Sequence, residues 1–287
     1  MKKGPTNQNT IATRVETMLK TYDTLVVRAQ SQVWRLTINR PDSQNTLNTQ
    51  VLKELNDVLD EAALRPECRV IILEGQDRAS NGPSGGVFCT GMDFAEMSKL
   101  CLQGDPSAIA DWTSYYMSTL KRLSFGPKIT MAKIDGKVLA GGVGLAAACD
   151  LVVSSEAATF ALSEACWGLL PAMVMPFLVR RVGLQCAYRM TLSMQAVSAK
   201  EAHLFHLVDE LSSELDQTVD RLLKRLLRLD ESTLINMKVY FRKMWIVTEE
   251  MENEAVAETT RLLHDPIVQK KIRNFVEKNI LPWEKNA

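Results

Sequence analysis

Two segments of the chain combine glycine with a junction between apolar residues and a helix start: Phe88-Cys89-Thr90-Gly91-Met92-Asp93 and Ala140-Gly141-Gly142-Val143-Gly144. Each reads as a strand end passing through a small residue into a helix. The first turn of a helix carries N–H groups with no intrahelical acceptor and the positive end of the helix dipole. Two such turns facing each other would bracket one oxygen atom. Where negative charge develops on that oxygen they form an oxyanion hole, and removing one donor from such a hole typically raises the barrier by about 3 kcal/mol. Glycine suits the task because a substrate must approach the backbone closely. The same small residues would equally serve close helix packing, so the two segments alone leave both readings open.

Other polar residues read more plainly. Asp93 follows Gly91 at a helix start and reads as a helix cap. His203 and His206 share a helical face with no partner in sight, which favours packing or an interface over catalysis. His264 completes the histidines, and none of the three stands at ligand spacing from Cys68, Cys89, Cys101, Cys149, Cys166 or Cys186, so no metal site is expected. Several of these thiols lie in apolar runs and read as reduced, buried cysteines of a cytosolic protein. Lys plus Arg and Asp plus Glu number 34 each, and this zero balance argues against a chain built to hold nucleic acid or an anionic membrane. The first residues lack the apolar stretch of a signal peptide, and no run has the length to span a bilayer.

These residues must be positioned by a mixed scaffold. Residues 1–21 read as a mobile tail with at most a short helix near Thr10–Leu19. Thr24–Arg28 and Val33–Ile38 are rich in β-branched residues and flank a short polar stretch, which predicts a hairpin. Apolar positions from Leu47 to Ala62 follow helical spacing, Pro66 stops that helix, and Val70–Leu73 is a fully apolar strand. Strand, helix and apolar strand imply a partly parallel sheet. After a glycine-rich loop at 81–86, the spacing predicts a strand at Val87–Thr90, helices over Phe94–Leu100 and Ala110–Leu123, and a strand at Lys128–Ile134. A buried helix over Leu139–Cys149 and strands at Asp150–Ser154 and Thr159–Phe160 complete the series. From about residue 200 the chain reads as helical to its end. There Leu222, Leu223, Leu226, Leu227 and Leu229 form an apolar stripe, with Arg221, Lys224, Arg225 and Arg228 interleaved as a solvated face or a surface for an acidic partner.

Taken in order and spacing, Asn39-Arg40-Pro41, Leu47-Asn48, Phe88–Asp93, Gly136–Gly142, Ala148-Cys149-Asp150 and Phe160-Ala-Leu-Ser-Glu164 resemble the enoyl-CoA hydratase (crotonase) superfamily over about residues 22–210. The resemblance implies an α/β crotonase spiral over 22–200. It also implies a helical C-terminal segment over 201–287 that assembles trimers or hexamers through its apolar stripe. It assigns the hole to the backbone N–H groups of Thr90 and Gly141, places Met92, Gly142, Gly144 and Met173 around the substrate, and makes Glu164 the acid/base. Hydratases of the family hold water between two glutamates, and this chain has Gly144 where the first would stand. One carboxylate suits removal of an α-proton and its return to a departing hydroxyl. The pairing of both motifs most resembles the dehydratases of polyketide β-branching. Those enzymes act on 3-hydroxy-3-methylglutaryl held as a thioester on the phosphopantetheine of an acyl carrier protein; coenzyme A is the other candidate carrier, and no further cofactor is expected. A double-bond isomerase and a non-catalytic scaffold are the alternatives. A distal substrate carboxylate would need a cation, for which Arg78, Lys99 and Lys137 are candidates.

Overall fold

The computed structural model describes residues 20–76, 86–103, 106–245 and 248–284. The expected tail helix at 10–19, the loop at 81–85 and Arg78 lie outside them. The chain opens with the hairpin β1 (Leu25–Gln30) and β2 (Val33–Ile38), then α1 (Thr49–Leu64), β3 (Val70–Gly75), β4 (Val87–Cys89), α2 (Phe94–Gln103) and α3 (Pro106–Phe125). Next come β5 (Ile129–Ile134), β6 (Lys137–Leu139), α4 (Gly141–Ala148), β7 (Leu151–Ser155), β8 (Thr159–Ala161) and the single turn α5 (Glu164–Trp167). The remainder is α6 (Met175–Ser193), β9 (Val197–Ser198), α7 (Ala199–Leu204), β10 (Glu210–Ser212), α8 (Leu215–Leu226), α9 (Glu231–Arg242), α10 (Glu249–Leu263) and α11 (Pro266–Lys278).

From β3 to β8 consecutive strands alternate between two sheets. One has the order β1-β2-β3-β5-β7-β10 and is parallel except for its opening hairpin; the other has the order β4-β6-β8-β9. Each circuit of the chain therefore adds one strand to each sheet, which is the expected spiral. The apolar run Val70–Leu73 is explained by burial on both faces. Ile71 and Leu73 join the main core, while Val70 and Ile72 face a second cluster with Ile129, Met131, Val153, Val219 and Leu223. Among the described residues no helix is long and apolar enough to cross a membrane.

Three expectations are corrected here. The small-residue helix begins at Gly141, because Lys137–Leu139 is drawn into strand β6 between β4 and β8. The segment after 200 is not wholly helical: Glu210–Ser212 pairs in parallel with Val153–Ser155 and extends the large sheet. The leucine stripe is not a free interface. Leu223 is buried in the second cluster, and Leu222, Leu226 and Leu227 pack against it, so α8 covers the outer face of its own sheet. Each such side chain removed from water is worth about 1.5–3 kcal/mol.

The spiral turns are tied by Asn45, which is fully buried in a left-handed conformation. Its amide nitrogen donates to the carbonyls of Gln76 and Val87, and its oxygen accepts from the Arg40 amide, so it joins the end of β3 to the start of β4. Asn45→Ala removes all three of these hydrogen bonds and leaves a gap at a fully buried position, and we expect it to lower the unfolding free energy by about 2–4 kcal/mol, read from urea denaturation.

Candidate active site

The two glycine-marked turns meet. Gly91 has φ +84°, a region closed to most side chains, and a Cβ built on it would lie 3.0 Å from the Gly141 nitrogen. The turn into α4 is held by Ala140 at φ 49°, ψ −120°, a conformation that costs a non-glycine residue about 1–3 kcal/mol. The Ala140 amide donates to Ala161 on β8, and the Val143 and Gly144 amides turn back to the Ala140 carbonyl. Among the described residues, the amides left unused by the first turn of α4 are those of Gly141 and Gly142.

On the other turn, Leu47 forms a parallel bridge with Met92. The Leu47 amide donates to the Gly91 carbonyl, and the Asp93 amide donates to the Leu47 carbonyl. In a parallel bridge the residue flanked by both bonds directs its own N–H to the opposite side. The Met92 amide thus faces away from Leu47. Thr90, by contrast, spends its hydroxyl on the Gln44 carbonyl. The Arg40 guanidinium fixes this turn, donating to the Thr46 carbonyl and, at 2.8 Å, to Asp93. Asp93 caps α2 through the Glu96 amide, as expected. Burial pushes its carboxyl upward, but the Glu96 amide and Arg40 outweigh burial and hold it below the usual range.

Thr90, Met92, Gly141, Glu164 and Met173 all line one cavity of about 990 Å3. The structure removes two expected wall residues. A Cβ on Gly142 would strike the Cys89 carbonyl, and one on Gly144 would strike the Tyr116 hydroxyl, so both glycines pack beneath the floor. Of the candidate cations, Lys99 lines the cavity from the exposed side of α2, whereas Lys137 is exposed on β6 outside it. Sequence reasoning missed Arg40, Tyr116, and the lid formed by Phe94, Trp167 and Phe275, whose rings meet edge-to-face at centroid distances of 4.6 to 6.2 Å. Arg40 of Asn39-Arg40-Pro41 and Phe94, directly after Asp93, lay inside recognisable motifs; Tyr116, Trp167 and Phe275 did not. His203 and His206 stay outside: His203 Nδ1 bonds the Val208 carbonyl, and His206 ends α7 at φ 64°.

Glu164 opens α5 directly after Ser163, at the inner wall. Its Oε2 is sealed from solvent and has no hydrogen-bond partner among the described residues. Burial raises its pKa to about 7, only partly offset by its own amide and that of Ser163. A carboxyl group balanced near neutrality can both take and return a proton.

Residues 28–286 match the family described as enoyl-CoA hydratase/isomerase. The chain belongs to that family. The dehydratase PksH of bacillaene synthase from Bacillus subtilis (strain 168) is 33% identical over 266 residues, covering 93% of this chain and 98% of PksH. The crystal structure of PksH from Bacillus subtilis superposes with a TM-score of 0.81 at 32% identity, covering 91% of this chain and 100% of PksH. The 2,3-dehydroadipyl-CoA hydratase of Escherichia coli (strain K12) is 31% identical over 188 residues, covering 65% of this chain and 68% of that protein. The chain is therefore a crotonase-fold enzyme of the hydro-lyase class, similar to the dehydratase PksH, and the scaffold alternative falls away.

The Glu164 pKa makes two linked expectations. Activity that needs the carboxylate should fall as pH drops through about 7, and Glu164→Gln should abolish that limb of the kcat/KM profile. In stability the sign is reversed. The folded state holds the proton more tightly than the unfolded chain, so stability declines as pH rises from about 4.5 to about 7. Glu164→Gln should accordingly raise the melting temperature at pH 8, by up to about 3 kcal/mol of stability, with the gain shrinking towards pH 4.5.

Proposed function

We propose that the enzyme dehydrates a 3-hydroxy-3-methylglutaryl thioester carried on an acyl carrier protein, giving the 3-methylglutaconyl thioester. The observation that carries this reading is the Glu164 carboxyl group, its Oε2 sealed and without a partner among the described residues, in one cavity with Met92 and Gly141 and with glycine at 144. The likeness to PksH over nearly the whole length of both chains supports it.

The thioester carbonyl accepts from the Gly141 amide on one side. On the other, the Leu47 bridge favours the Met92 amide over that of Thr90 as donor. Charge drawn onto the oxygen acidifies the α-carbon, and Glu164 removes its proton. The resulting electron pair forms the α,β double bond as the β-carbon–oxygen bond breaks. Glu164 returns the proton to the departing hydroxyl, which leaves as water. Lys99, on the cavity wall, is the described cation best placed for the distal carboxylate.

The wild-type enzyme should convert the carrier-bound substrate to a product lighter by about 18 mass units, one water. Glu164→Gln should slow that loss by about 100- to 10,000-fold. An unchanged mass would instead move the weight to the isomerase, because this saturated acyl chain holds no double bond for an isomerase to shift.

A homo-trimer or hexamer remains the proposed assembly, with a different surface from the leucine stripe. On α6, Leu184, Tyr188 and Leu192 recur every four residues and are 72%, 57% and 66% exposed. If this face joins subunits, Leu192→Glu will shift the species seen by light scattering towards monomer; an unchanged mass would place the interface elsewhere.

A further inference from the structure

Tyr116 lies in the middle of α3, only 2% exposed, and stacks on Trp112 with ring centroids 5.5 Å apart. It nonetheless lines the cavity that Gly141 and Glu164 also line. Its hydroxyl donates to the Gly141 carbonyl at 2.7 Å and would lie 3.2 Å from a Cβ built on Gly141. It also fills the space above Gly144 so fully that no side chain can stand there. A phenol has one proton, and here the Gly141 carbonyl holds it. What the hydroxyl offers the cavity is a lone pair, to which no described residue donates. Burial, with the charges of Cys89 and Glu164, keeps the phenol protonated well above its ordinary range, so it serves as a neutral acceptor and not as a base.

The Tyr116 hydroxyl lies beside Gly141 and Gly144 on the first turn of α4, so a substrate whose acyl carbonyl accepts from the Gly141 amide would have its next carbons near this hydroxyl. We propose that Tyr116 is the residue that orients the leaving group, accepting a hydrogen bond from the substrate's β-hydroxyl so that the lone pairs of that hydroxyl face Glu164. The inference rests on the dehydratase reading. It explains why a glycine at 144 is matched by a tyrosine at 116: the hydroxyl takes the volume in which a second carboxylate, or a water, would otherwise sit. Departure of water needs no proton from Tyr116, because Glu164 supplies the one it took from the α-carbon.

The test compares two rates in the wild-type enzyme and in Tyr116→Phe, which removes one oxygen and keeps the ring packing. The first is dehydration of carrier-bound 3-hydroxy-3-methylglutaryl thioester. The second is exchange of the α-proton for deuterium on the 3-methylglutaryl thioester, which has no hydroxyl to orient. Tyr116→Phe should slow dehydration about tenfold, the worth of one hydrogen bond, and leave exchange within about twofold of wild type. An unchanged dehydration rate overturns the proposal. So does an equal fall in both rates, which would assign Tyr116 to holding Gly141 in place. Failure of the wild-type enzyme to release water would sink the dehydratase reading itself, and is seen before any variant is made.

Discussion

The site depends on the contact between two backbone turns, Gly91 against Ala140–Gly141. No side chain mediates it. A Cβ on Gly91 would press on Ala140 and the Gly141 nitrogen, so the approach exists only because residue 91 is glycine. The surroundings are built to hold it. Trp112 and the Asp93 amide both donate to the Leu47 carbonyl, and Arg40 clamps Thr46 and Asp93. The strain of Ala140 is carried by a spiral in which β4, β6 and β8 lock the turn from both sides. Amides fixed this way need no reorganisation as charge develops on a bound oxygen.

The chemistry opposite those amides follows from solvation. Glu164 sits among apolar walls with one oxygen unpartnered, so its ionised form is disfavoured and its proton affinity rises into the neutral range. An isolated carboxyl group of this kind is a poor structural element, since it weakens the folded state wherever it is charged. A bound substrate offers what the protein withholds, a polar partner inside the cavity.

Much of this was legible in the sequence, for particular reasons. The two glycine turns, the Asp93 cap and the apolar strand Val70–Leu73 are local patterns whose physics acts over a few residues. The large sheet's last strand was not legible: Glu210–Ser212 is short, polar and half-buried, and it is a strand because β7 offers it an edge. The leucine stripe of α8 was visible as amphipathic, but nothing local says whether such a face covers its own sheet or a neighbour's. Tyr116 escaped for a similar reason. It sits in an ordinary helical pattern, and its meaning comes from Gly144, a residue 28 positions later that leaves room for its hydroxyl. Gly144 was read as a missing glutamate, when it is equally the space made for a phenol.

The cavity takes its last wall from the end of the chain. Phe275, Val276 and Asn279 on and after α11 face residues of α2 and α5 that lie more than a hundred positions earlier. A nascent chain emerging from the ribosome can lay down both sheets of the spiral, with the two turns in contact, while this wall is still being synthesised. Until α11 docks, the cavity that holds Glu164 lacks this wall. The cavity that holds Glu164 is thus completed late, by residues that never touch a proton.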